Sequence, residues 1–189
     1  MRSYLVLAAG LLLAPSAFAQ SADVPPSSGA RQFLDFAAHA NQSEIQAGLA
    51  AEKKAQAPAV KAFARLMVVD HMALESQLAA AAAQVNVQLP NGPSDTAKQQ
   101  MSQLQTKNGS QFDDSFLASE IKDHQEAIQK FRDEKSIAHN PTIIAVALGG
   151  LPILEQHLEL AQMIEQALKT HHEPGQQPAP TVGSGGVQR

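Results

Sequence analysis

Glu44, His71, His124 and His157 are the side chains of this chain best suited to chemistry. Three imidazoles and a carboxylate form a set that suits Zn²⁺ first, and also Cu, Fe or Mn. Each of the four falls near the middle of one of four long stretches with helical apolar period. In a bundle, helix midpoints share one height whichever way each segment runs. The four side chains are therefore expected to meet in one layer of an apolar, alanine-rich core. Glu120, one turn before His124, and Glu75, one turn after His71, are candidate extra ligands or supports for a ligand. Asp70 is off the face of His71 and is expected to orient a ligand or to pair with a base across the bundle. Met67, one turn before His71, keeps Cu(I) open, because thioethers are soft ligands.

The elements that must position these groups can be read from the same pattern. The first long helix is expected from about Arg31 to Lys54, with Phe33, Ala37, Ala40, Glu44, Ala47 and Ala51 on one stripe. The second opens at Pro58, where a missing N–H costs nothing, and ends near Asn86. Val60, Phe63, Met67, His71, Leu74, Leu78 and Val85 mark its apolar face. A short helix capped by Ser94 should follow the break at Leu89-Pro90-Asn91-Gly92-Pro93 and run to about Thr106. Ser110, with Asp113 three residues on, reads as a capping box opening the third long helix. Its inner face is Phe112, Leu117, Ile121, His124, Ile128 and Phe131. Asn140-Pro141 opens the fourth, in which Pro152 is expected to kink or restart the helix before His157. At an offset of 80 residues Phe36 falls on Phe116 and Glu44 on His124. The fold class is all-α: a ferritin-like four-helix bundle with a short extra helix in the long connection. That connection could cross the bundle's length, and an up-down arrangement is the alternative.

Composition bounds the rest. Residues 1–19 read as a secretory signal peptide: Arg2, an apolar Leu5–Leu13 and an Ala17-Phe18-Ala19 cleavage motif. The chain is therefore expected to be exported, to the periplasm or envelope. Residues 20–30 and 171–189 are Pro/Gly/Ser-rich and read as disordered flanks of a domain spanning 31–170. The chain has no cysteine, which leaves neither disulfides nor thiolate sites. A formal net charge of -4 supplies no basic field for nucleic acid. No apolar run after the leader reaches membrane-spanning length.

Several stretches together resemble the DUF4142 family of exported bacterial proteins. These are Phe33-x-x-x-Ala37-Ala38, Glu44-Ile45, Pro58-Ala59-Val60-Lys61-x-Phe63-Ala64, Met67-Val68-x-Asp70-His71, Phe112-Asp113, His124 and Leu151-Pro152-x-Leu154-x-x-His157-Leu158. The likeness spans about residues 31–168. It implies a ferritin-like bundle and an envelope location, and no activity, since the family has none assigned.

Di-iron bundles use Glu-x-x-His pairs on two helices. Here the nearest spacings are Glu120-x-x-x-His124 and Glu155-x-His157, which disfavours ferritin-like redox catalysis. Two readings stand: a single divalent-metal site for storage, buffering or stress protection, and a metal-free polar layer that sets bundle register in an envelope protein.

Overall fold

A computed structural model describes residues 27–172. The leader, the first part of the expected linker and residues 173–189 of the expected C-terminal tail lie outside the described residues. The described residues form five helices and no strand: α1 Ser28–Lys54, α2 Pro58–Gln84, α3 Asp95–Gln105, α4 Gly109–Ile137 and α5 Pro141–His172. At 1.5 Å per residue, a 27-residue helix such as α1 is about 40 Å long.

Local chemistry sets most helix ends. The Ser27 hydroxyl accepts from the Ala30 N–H at 3.1 Å, so α1 begins three residues ahead of Arg31 and absorbs the end of the expected linker. Pro58 and Pro141 each occupy a first helical turn. Asn140 caps α5 through the N–H groups of Thr142 and Ile143 at 2.9 and 3.4 Å. Asn86 closes α2 with φ of 53°, and the next N–H, on Val87, reaches back to the Ala82 carbonyl at 2.9 Å.

Two expectations fail for physical reasons. Asp113 does not box the start of α4, whose cap, Asn108, makes no side-chain bond. Its buried carboxylate instead accepts from the backbone N–H groups of Gln56, at 2.9 and 3.2 Å, and Ala57, at 2.7 Å. It thus ties the α1–α2 turn to the base of α4. Pro152 does not break α5 either. Pro152 and Leu148, one turn earlier, both face outward, so the carbonyl that the proline leaves without an intrahelical partner turns to solvent.

Topology follows from these ties. Short turns make α1–α2 and α4–α5 antiparallel hairpins, and the hairpins pack α2 on α5 and α1 on α4. Asp113 places the start of α4 beside the start of α2, so these two helices run the same way. The intervening chain therefore crosses the full length of the bundle. It passes His39, whose Nδ1 bonds the Gly92 carbonyl at 2.8 Å, and ends where Lys54 donates to the Gln105 carbonyl. This is the ferritin-like crossover. His39 is one of its anchors. By length and composition, Pro141–Thr170 of α5 would suffice to cross a membrane, which the apolar-run reading of the sequence missed. In this fold it packs on α2 and α4 as a bundle helix.

The core has two apolar halves. One gathers Phe33, Leu34, Leu78, Phe131, Ile143 and Leu154. The other gathers Val60, Phe63, Met67, Phe112, Phe116 and Leu117. Between them lies a layer of buried polar side chains.

Candidate metal centre

The layer consists of Asn41 and Glu44 from α1, His71 from α2, Glu120 and His124 from α4, and His157 from α5, all buried. The midpoint reasoning holds closely. His71 has thirteen residues of α2 on either side, and Asn41 has thirteen of α1. His157 is 0% exposed, because the unbroken α5 keeps it facing inward.

Each imidazole has one nitrogen held by a neighbour. His71 Nδ1 lies 2.8 Å from Asn41 Oδ1. The amide orientation of Asn41 is set by its Nδ2, which donates to the His71 carbonyl at 2.9 Å and to Glu75 at 2.7 Å. Oδ1 is therefore an acceptor, and His71 Nδ1 carries the proton. His124 Nδ1 donates to the Glu120 backbone carbonyl at 2.9 Å. His157 Nε2 donates to the Asp70 carboxylate at 3.0 Å. A neutral imidazole has one N–H and one lone pair. The tautomers assigned by these partners leave lone pairs on His71 Nε2, His124 Nε2 and His157 Nδ1.

Those three nitrogens face one another. His124 Nε2 is 3.4 Å from His157 Nδ1. The ring centroids of the three pairs are 5.3, 5.4 and 5.7 Å apart. One nitrogen from each ring lies within 4.8 Å of the others. A tetrahedral ion about 2.0–2.1 Å from each nitrogen sets neighbouring ligands about 3.4 Å apart, the spacing of the His124–His157 pair. His71 Nε2 is buried and has no hydrogen-bond partner.

Charge favours a cation here. Burial holds the His71 imidazole down to about 4, Glu44 pulling it upward and the other two imidazoles adding to the depression. Burial also lowers His157, against the pull of Asp70. Burial opposes ionisation of Glu44, yet its hydrogen bond with Glu120 and the three imidazoles together hold its carboxyl below the usual value. Glu120 is pushed well above the carboxylate range by burial and by the charge of Glu44. Glu44 thus faces the imidazoles as a carboxylate, and Glu120 keeps the proton of the pair. Glu44, Glu120 and His124 form a second group of converging ligand atoms.

Of the residues singled out in the sequence, Glu44, His71, His124, His157 and Glu120 come together in the layer. Asp70 is 29% exposed on its side chain and orients His157. Glu75 approaches no imidazole directly. Its carboxylate holds Asn41 and Gln42, and so acts on His71 through the amide. Met67 is packed among the phenylalanines of one core half. Asn41 is the residue that sequence reasoning missed. Its signal was available: it is the midpoint of its helix and lies one turn before Glu44.

The fold and this layer define a class: a crossover four-helix bundle with a buried His/Glu cluster. The chain belongs to the DUF4142 family, a domain of unknown function, whose model matches residues 15–164. No curated protein matches it in sequence. Among solved structures it is similar to one described as "CopM in the Cu(II)-bound form", with a TM-score of 0.62 and 17% identity. The alignment covers 74% of this chain and 97% of that one. At that identity the likeness speaks for the fold.

Proposed function

We propose that this protein binds one divalent cation in the mid-bundle layer, through His71 Nε2, His124 Nε2 and His157 Nδ1, with Glu44 completing the set. The observation that carries the reading is the convergence of three imidazole lone pairs whose opposite nitrogens are each held by a separate acceptor. Metal-binding histidines are characteristically oriented in this way, by a carboxylate or carbonyl on the other ring nitrogen. Three imidazoles and a carboxylate suit Zn²⁺ and Cu²⁺, and Cu²⁺ stands highest in the affinity order of divalent first-row metals. The Cu(II)-bound state of the structural neighbour adds weight to copper. With the secretory leader read at residues 1–19, the role we assign is metal storage, buffering or stress protection in the periplasm or envelope.

A metal-free polar layer is the second reading, favoured by the partners already found at Asn41, Asp70 and the Glu120 carbonyl. It satisfies only one nitrogen of each ring. It leaves three lone pairs aimed at each other and one buried nitrogen unbonded, an arrangement that interiors avoid. Thermal melting of the untagged protein separates the two. A cation bound only by the folded state adds about 2.7 kcal/mol at 100 times its dissociation constant. We expect Cu²⁺ or Zn²⁺ to raise the melting temperature and His124→Ala to abolish that rise. Under the polar-layer reading, His124→Ala destabilises the bundle and neither ion shifts the unaltered protein.

A further inference from the structure

We propose that the groove between α1, α3 and α4 is the path by which a divalent cation reaches the imidazole layer, with Glu44 and Glu120 as the carboxyl groups that receive it at the groove floor. The inference rests on the metal-binding reading above and adds a route to it. The groove has a volume of about 200 Å³ and is lined by Ser43, Glu44, Gln100, Ser119, Glu120 and Asp123. Glu44 also lines a small cavity of about 30 Å³ that touches His71 and His124. One side chain therefore belongs both to the surface groove and to the space beside the imidazoles.

Glu120 supplies a second, independent sign. It is 2% exposed, lines the groove, and has a buried carboxyl oxygen, Oε2, that accepts no hydrogen bond. The nearest basic atom to that oxygen is His124 Nδ1, at 3.6 Å. Two lysines, Lys107 and Lys122, also line the groove, and both are exposed. The inner wall is oxygen-rich: the Ser43 and Ser119 hydroxyls, Asp123, Glu44 and Glu120. Ser119 donates to Asp123 at 3.1 Å. Carboxylate and carbonyl oxygens and water suit hard divalent ions, and imidazole suits Zn and Cu.

Both hairpin seams are closely packed where a glycine meets the neighbouring helix. At the α1–α2 seam, a Cβ on Gly48 would come within 2.7 Å of Val68 and 3.0 Å of the Ala64 carbonyl oxygen. At the α4–α5 seam, a Cβ on Gly150 would come within 2.5 Å of Phe131. Between α2 and α5, the Asp70–His157 hydrogen bond covers the layer. The α1–α4 side is the one overlaid by a short separate helix, α3.

Stopped-flow absorbance of Cu²⁺ uptake by the full protein tests the route. Two variants plug the groove from different helices: Ser119→Leu on α4 and Ala97→Phe on α3. Val69→Phe, on an exposed site of α2, is the control. We expect both plugs to slow association by about tenfold or more, and to slow release by the same factor, so that affinity is unchanged. The control should match the unaltered protein. Because α3 is a short helix laid on the bundle, Ala97→Phe leaves the four long helices intact and can be scored even if Ser119→Leu unfolds. Association at the unaltered rate in a folded plug variant, with Cu²⁺ still bound tightly, overturns the route and spares the metal site. If the unaltered protein takes up no Cu²⁺, the metal reading itself falls.

Discussion

Three imidazoles in one layer differ here in what holds their second nitrogen: an amide, a carbonyl and a partly exposed carboxylate. Asn41→Ala leaves the buried His71 Nδ1–H without an acceptor, which costs about 1–3 kcal/mol of stability. It also frees the ring to turn, so metal affinity should drop about 10- to 100-fold. Urea denaturation and calorimetric titration read the two effects; stability loss at unchanged affinity would deny Asn41 its positioning role. Asp70→Ala should weaken metal binding by a similar factor with a smaller stability cost, since Asp70 is partly solvated. The His71 imidazole, held at about 4 against an ordinary 6.5, also predicts a pH dependence. The unfolded chain takes up this proton near 6.5 and the folded chain does not until about 4. Stability is therefore complete above 6.5 and declines as pH falls to about 4, by at most about 1.4 kcal/mol per unit. The depressed His157 acts in the same direction; Glu120, held protonated in the fold, opposes it as pH rises above the ordinary carboxylate range. Denaturation at pH 4.5, 5.5 and 6.5 should give a shallower metal-free slope for His71→Gln than for the unaltered chain. Parallel slopes would mean that His71 is not buried neutral. The histidines were legible in the sequence because type and helix position suffice to find them. The midpoint position of Asn41 was legible as well, but its bond to His71 was not, because that exists only once α1 and α2 are paired face to face.

At the scale of elements, adjacent glycines on α5 make opposite predictions. A methyl at Gly150 would press on Phe131, at 2.5 Å from its ring, between α4 and α5. Gly150→Ala should therefore destabilise by about 1–3 kcal/mol, despite alanine's better helix propensity. Gly149 is exposed and meets only the end of Gln77 at 3.4 Å, so Gly149→Ala should stabilise by up to about 1 kcal/mol. Chemical denaturation of the two single variants checks the pair; equal effects would contradict the close approach at Phe131. Asp113→Ala removes the charged acceptor of two N–H groups at the α1–α2 turn and should cost about 2–3 kcal/mol. Helix extents were readable from apolar period, prolines and caps. The failures share one cause. The sequence signature at Ser110–Asp113 is local, whereas the partners of Asp113 are 56 and 57 residues away. The cost of Pro152 depends on which way one carbonyl faces.

On the scale of the whole molecule, the crossover is what makes the layer possible as it stands. It sets α2 and α4 parallel and lays α3 over the α1–α4 face. The connection's length made a crossover conceivable in the sequence, and only the long-range bonds of Asp113, His39 and Lys54 decide it. Two apolar halves hold the bundle above and below a layer that contributes little packing, so the fold should persist without metal and tighten with it. The central claim is that three imidazole nitrogens converge on one cation. Electron paramagnetic resonance of the protein loaded with one equivalent of Cu²⁺ addresses it directly. A single Cu²⁺ species is expected, with hyperfine coupling to three imidazole nitrogens, reduced to two in His157→Ala. A spectrum with no imidazole coupling, or one that His157→Ala leaves unchanged, would contradict it.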